Sequence, residues 1–232
     1  MSIYAISDLH LSFGDNKPMD IFGSNWENHI DKIKDNWTGK ITDNDLVLLP
    51  GDFSWAMYLK DTYKDFEYLN NLPGKKLLLK GNHDYWWTTL KKMRAYLSEN
   101  NFEDIDFIYN NSYMYDNTII VGTRGWQDEN NKEDKKIIKR ENIRLELSIQ
   151  DGIKKYGQEK EIIVCMHYSP FNKYEERDMS FIQTMKKYNV TTCIYGHLHG
   201  EIAHKEAKQG LIEGIDFKLV SCDYTNFNLV NI

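Results

Sequence analysis

The chain has 232 residues, 41% hydrophobic and 28% charged, with a formal net charge of −6. That composition excludes a disordered or low-complexity chain, and the length buries a core without disulfide staples. The negative balance argues against a general binder of long nucleic acids, whose affinity comes from neutralising phosphates, but not against an enzyme acting on a phosphate, because bound cations reverse the local sign.

No Pro/Gly/Ser-rich linker divides the sequence, so one domain over 1–232 is expected. The start lacks the basic n-region and apolar core of a signal peptide, and no apolar run reaches membrane-spanning length. The expectation is a cytoplasmic protein with no membrane partner. Cys165, Cys193 and Cys222 are odd in number and far apart, and read as buried free thiols.

In chain order, Ile3 to Ser7 reads as a first strand, followed by Asp8-Leu9-His10. If the backbone stays extended, residues two apart point to one side, so Asp8 and His10 converge. A carboxylate and an imidazole aimed at one point suit manganese, iron or zinc. Alone, the tripeptide reads first as a surface loop after a strand. Residues 25–37 carry Trp26, Ile30, Ile33 and Trp37 at helical spacing, a core-facing stripe, and His29 among polar neighbours reads as solvated. The apolar run Leu46-Val47-Leu48-Leu49 ends at Gly51-Asp52, where glycine permits a tight turn and a close backbone approach. Residues 61–72 read as a helix with Phe66 and Leu69 facing inward.

Leu77-Leu78-Leu79-Lys80-Gly81-Asn82-His83-Asp84 is the densest signal. A buried strand stops at glycine and delivers an amide, an imidazole and a carboxylate at its carboxyl end, where α/β sheets place their ligands. Residues 86–97 then read as a helix with Leu90, Met93 and Leu97 in the core.

Ile105 to Tyr109 and Thr118 to Val121 read as strands, the second closed by Gly122-Thr123-Arg124-Gly125-Trp126. Arg124 could offer its guanidinium to a phosphate, or anchor its loop through backbone carbonyls. Residues 131–156, with apolar Ile138, Leu145, Ile149 and Ile153, read as a long amphipathic helix that Gly152 could break. Acids interspersed among its lysines and arginines make a solvated face. Glu161 to Met166 reads as a buried strand ended by His167, and residues 181–188 as a short helix. Thr191 to Tyr195 is the next strand, ending in Gly196-His197-Leu198-His199-Gly200. An extended backbone would again put two imidazoles on one side. Phe217 to Ser221 is expected as the last strand, paired with residues around Ile202.

Each polar cluster follows an apolar run, and strand ends of this kind gather along one sheet edge. Burying so many carboxylates and imidazoles together is costly without counter-charge. Divalent cations remove the difficulty. The nitrogen and oxygen donors, without thiolate, disfavour a cysteine-type structural zinc site, and their number fits two ions sharing a carboxylate better than one.

The order Asp8-Leu9-His10, Gly51-Asp52, Gly81-Asn82-His83-Asp84, His167, Gly196-His197-Leu198-His199 resembles the calcineurin-like metallophosphoesterase family. The resemblance implies an α/β fold, a four-layer sandwich of two mixed β-sheets flanked by α-helices. It implies Asp8, His10 and His199 at a first metal, Asn82, His167 and His197 at a second, and Asp52 bridging them. His83 would face the substrate and Asp84 would orient it. The implied cofactors are two divalent ions, manganese or iron first and zinc next. The implied partner is a phosphate mono- or diester, hydrolysed by in-line attack of a metal-bridging hydroxide. A competing reading keeps the fold as a catalytically silent binding or scaffold module; the complete motif set and His83 speak against it. Trp55, Trp86, Trp87 and Trp126 lie near motif ends and could stack on a base, wall a pocket or simply pack. The segments between motifs are short apart from 127–160, so no cap domain is expected.

Overall fold

The computed structural model describes residues 1–15, 17–127, 131–171 and 180–232; of the long inter-motif segment, residues 128–130 lie outside this set. Strands β1 (Ile3–Ala5), β2 (Leu46–Leu49), β3 (Lys75–Leu79) and β4 (Ile105–Ile108) are parallel neighbours in one sheet. Strands β5 (Tyr113–Tyr115), β6 (Thr118–Thr123), β7 (Glu161–Met166), β8 (Thr192–Tyr195), β9 (Gly210–Ile212) and β10 (Ile215–Leu219) form the other. Its order is β5-β6-β7-β8-β10-β9, with β5 and β9 as antiparallel edges. The last strand, β11 (Val230–Asn231), returns antiparallel beside β1 and makes the first sheet mixed as well.

The strands read as unbroken apolar runs because both faces are covered. Leu46, Leu48, Leu77 and Leu79 point into a core between the sheets, where Ile120, Ile163, Cys165 and Ile194 meet them. Their neighbours Val47, Leu49 and Leu78 point outward, against helices α1 (His29–Thr38), α2 (Tyr63–Asn70) and α3 (Leu90–Glu99). On the far side, α4 (Lys132–Tyr156) and α5 (Ser180–Lys187) supply Ile138, Leu145, Ile149, Phe181, Ile182 and Met185 to a third core. Helix, sheet, sheet and helix thus form the expected layered sandwich.

Several local expectations change. The 25–37 stripe is not one helix: Asn28 is left-handed at φ 53°, and Trp26 ends a separate 3-10 turn. His29 is not solvated but buried, edge-on to Trp26 at 5.5 Å. Helix α3 starts at Leu90, with Thr89 Oγ1 accepting from Lys92 N at 3.4 Å, so Trp86 and Trp87 belong to the preceding loop. Gly152 does not interrupt α4; a Cβ there would meet Ile119 Cγ2 at 2.5 Å, so glycine lets the helix approach β6. β10 pairs with β8 and β9, whereas Ile202 lies exposed in α6 (Gly200–Glu206). The three cysteines are free and buried. Among the described residues no helix is long and apolar enough to cross a membrane.

Candidate metal centre

The polar segments leave the carboxyl ends of β1, β2 and β3 in one sheet and of β7, β8 and β10 in the other. The sheets are stitched together at this rim. Ser7 N donates to Val220 O at 2.8 Å and Cys222 N to Ser7 O at 3.0 Å, while Asp8 N reaches Gly51 O at 3.0 Å. Asp8 follows directly from that stitch, and His10 N donates to Asp52 O at 3.0 Å.

Two groups of donors result: Asp8, His10 and His199 in one, Asp52, His167 and His197 in the other. Within each, the donor atoms lie within 4.8 Å of one another. Asn82 joins the second, its Oδ1 2.7 Å from His167 Nε2. Asp52 Oδ2 stands between the two groups, 3.8 Å from His10 Nε2 and 3.5 Å from His167 Nε2.

The convergence does not come from extended backbone. Asp8, His10, Asp52 and His197 all have positive φ, from 47° to 69°. Asp and His enter this region more readily than bulkier residues, and strain of this kind collects at functional sites. His197 and His199 accordingly part company and face different donor groups. Gly81 and Gly196 make the crowding possible: a Cβ on the first would fall on Asp52, and on the second on Ser7 and Asp8.

Asp84 is the hub beneath the site. Its carboxylate accepts from Asp52 N at 3.0 Å, Phe53 N at 2.9 Å, Gly81 N at 2.7 Å and Trp86 Nε1 at 3.1 Å. It thereby clamps the β2 and β3 loops together rather than bonding to the His83 ring. His83 is placed by its own N–H, which donates to Asp52 Oδ1 at 2.8 Å. Its ring lies 4.5 Å from Trp55, which also stacks on His10 at 4.8 Å. Of the four tryptophans near motif ends, Trp55 therefore borders the site, and Trp86 is buried structure. Trp126 Nε1 donates to Asp134 Oδ1 at 2.8 Å, and the Arg124 guanidinium lies over its ring at 4.7 Å. Arg124 O accepts from His167 N and Tyr168 N at 3.2 and 3.0 Å. The loop is thus tied by the Arg124 carbonyl, which leaves the guanidinium to face a cleft beside the site.

Sequence reasoning missed Asp223. His199 Nδ1 lies 2.8 Å from Asp223 Oδ1, and Gly200 N donates to Asp223 Oδ2 at 3.1 Å. His199 is thereby oriented with Nε2 toward Asp8 Oδ1, 3.3 Å away. His167 is held likewise, its Nδ1 2.9 Å from Pro50 O. Such partners fix which nitrogen faces a metal. Asp223 carried no sequence signal, because it follows a strand without a glycine or a second ligand type.

The charges accord with a cation-binding role. Asp8, Asp52 and Asp84 are each at most 1% exposed, and among the described residues none pairs with a lysine or arginine. Burial pushes the Asp52 carboxyl well above its usual range, and the charges of Asp8 and Asp84 add to this. Burial pushes Asp8 upward too, but the neighbouring histidines, His199 foremost with His167 and His10, together outweigh it and hold the carboxyl low. Burial brings His167 down to about 3, His197 to about 4 and His10 well below normal, so at neutral pH these imidazoles offer lone pairs. His199 alone is lifted, to about 10, because Asp8 and Asp223 outweigh its burial. The Nδ1 atoms of His10 and His83 have no hydrogen-bond partner. Excess buried acid with neutral imidazoles and no thiolate among the donors fits divalent cations.

The family model of calcineurin-like phosphoesterases matches residues 1–201. Similar solved structures include the TT1561 protein of Thermus thermophilus, 12% identical with a TM-score of 0.62, covering 99% of this chain and 97% of that one. Another is AQ665 of Aquifex aeolicus, a protein of unknown function, 17% identical with a TM-score of 0.53, covering 99% and 95%. At these identities the likeness concerns the fold. No curated protein matches the chain.

Proposed function

The chain belongs to the calcineurin-like phosphoesterase family, and we propose that it hydrolyses phosphate mono- or diesters with the help of two divalent cations. The observation that carries this reading is the position of Asp52 Oδ2, between nitrogen donors of the two groups. Asp8, His10 and His199 would hold one cation; Asn82, His167 and His197 the other; Asp52 would touch both. Bound there, the pair would neutralise phosphoryl oxygens and lower the pKa of a water. Manganese or iron suits the mixed imidazole and carboxylate donors, with zinc the next candidate.

The rest of the chemistry belongs to the chain. His83 stands beside the donor groups with Nδ1 unpartnered. Burial lowers its pKa, so at neutral pH it offers one ring N–H to the phosphoryl or leaving oxygen, and serves as an acid once protonated. Trp55 packs against both rings, stacked on His10 and tilted against His83, and so helps to hold them in place. Asp84 keeps the loops carrying Asp52 and Asn82 at fixed separation and acts as a positioning residue.

The test is hydrolysis of an aryl phosphomonoester and a bis-aryl phosphodiester by manganese-loaded protein, beside Asp52→Ala. Turnover of at least one ester is expected, with the variant losing bound metal and activity together. Two occupied metal positions with no turnover of either ester would favour the silent scaffold instead. A variant that keeps both ions would refute the role given to Asp52.

A further inference from the structure

Beside the metal centre, where β4 of one sheet faces β6 of the other, lies a cleft of about 420 Å³. Its charged lining is Lys80, Arg124, Arg140, Arg144 and Glu141. Lys80 precedes Gly81 directly, and Arg124 is the residue whose carbonyl holds His167 and Tyr168. The cleft therefore shares two loops with the centre.

Four cations face one carboxylate here. Glu141 is 1% exposed and already engaged: Thr123 Oγ1 donates to it at 2.7 Å, Arg144 at 2.6 Å, and Arg140 Nε lies 3.6 Å away. Neither Lys80 nor the Arg124 guanidinium has a carboxylate partner among the described residues. The indole N–H of Trp87, in the same wall, is buried without a hydrogen-bond partner. Like charges assembled from three elements, with donors left unspent, are stabilised by an anion. A tetrahedral oxyanion uses convergent guanidinium and ammonium donors from several directions.

We propose that this cleft holds a second phosphate group of the substrate, so that the ester cleaved at the centre belongs to a molecule carrying at least two phosphates. The proposal rests on the phosphoesterase reading of the adjacent centre. Its volume admits a phosphate together with part of the scaffold that joins the two groups. Glu141 acts as a positioning residue, holding Arg144 and Arg140 toward the cleft from α4.

The experiment separates the cleft from the centre. Full-length protein freed of metal by chelation, with its fold checked by near-ultraviolet circular dichroism, is titrated with inorganic phosphate by calorimetry. Arg140→Gln and Arg140→Lys are titrated in parallel; Arg140 is exposed and its loss leaves the core intact. Saturable binding is expected in the wild type, weakened about tenfold in Arg140→Gln, the size of one charge-assisted hydrogen bond, and less in Arg140→Lys. Absence of saturable binding, or equal affinity in Arg140→Gln, overturns the proposal. Manganese-loaded protein from the same preparation is assayed on an aryl phosphomonoester and a bis-aryl phosphodiester. Turnover there with no phosphate in the cleft sinks the second-phosphate site alone. No turnover of either ester sinks the phosphoesterase reading, and the assignment of the anion to a substrate falls with it.

Discussion

Asp8, His10, Asp52 and His197 share a left-handed backbone conformation that few residues other than glycine adopt, asparagine, aspartate and histidine more readily than the rest. Each such residue costs roughly 1–3 kcal/mol, and the surrounding hydrogen bonds must hold it there. Asp84, Ser7 and Asp8 supply such bonds: Asp84 accepts from Asp52 N at 3.0 Å, Ser7 Oγ donates to Asp8, and the Asp8 carboxylate accepts from His197 N at 3.0 Å. Replacing His83 tests a residue proposed to face the reaction without holding a cation. His83→Ala is expected to lower kcat on a poor leaving group by about 10²-fold or more, the usual share of a positioned proton donor. Metal content by mass spectrometry should be unchanged, and loss of metal would show that the ring is a ligand. A second buried acid lies one step outside the site. Asp65 accepts from Phe13 N at 2.9 Å and from Ser54 Oγ, and burial lifts its pKa from 3.8 to about 6. The folded state then holds the proton more tightly than the unfolded chain. Its contribution is full below 3.8 and is lost as pH rises through about 6. Over that window the wild type should lose about 3 kcal/mol relative to Asp65→Asn, read by urea unfolding. Parallel pH profiles would contradict the shift.

At the scale of elements, the strand ends do the positioning and the helices fix the strands. The long helix α4 shows how. Its amphipathic pattern brings Ile138, Leu145 and Ile149 onto the second sheet, and it also carries Arg140 and Arg144 to the cleft. Gly152 packs directly against Ile119 of β6. On propensity alone, alanine there would stabilise the helix by up to about 1 kcal/mol. Packing opposes it, since the new methyl would meet Ile119 and overpacking costs about 1–3 kcal/mol. Gly152→Ala is therefore expected to destabilise, seen as a lower urea midpoint with an unchanged slope. A higher midpoint would mean that the β6 face can yield.

For the molecule as a whole, three cores hold two sheets at a fixed separation, and the centre sits on the rim where both sheets end. Any cation bound there would crosslink the sheets and relieve the buried carboxylates of Asp8 and Asp52. Chelation should therefore lower the melting temperature, and manganese at a hundredfold excess over its dissociation constant should restore about 2.7 kcal/mol, roughly 5–10 °C for a domain of this size. Scanning calorimetry with and without chelator reads it directly. Equal melting temperatures would mean that no cation links the sheets.

The sequence by itself determined the core-facing runs and marked most of the candidate residues that the structure brings together. Apolar stretches such as Leu46 to Leu49 and Leu77 to Leu79 must be buried on both faces, and glycines followed by Asp, Asn or His mark where they end. Local pattern could not reveal what depends on distant neighbours. Burial of His29 is set by Trp26 and Phe227, the part played by Asp223 by the return of β10 beside β8, and the continuity of α4 at Gly152 by the surface of β6. Periodicity suggested extended tripeptides at Asp8-Leu9-His10 and His197-Leu198-His199. Left-handed turns placed those side chains instead, because the stitch between the sheets dictates the backbone there. Only the tertiary structure decided how the backbone aims each histidine, and that four cations from three elements meet in one cleft. Both are facts of juxtaposition across two sheets, and spacing along a chain carries no record of them.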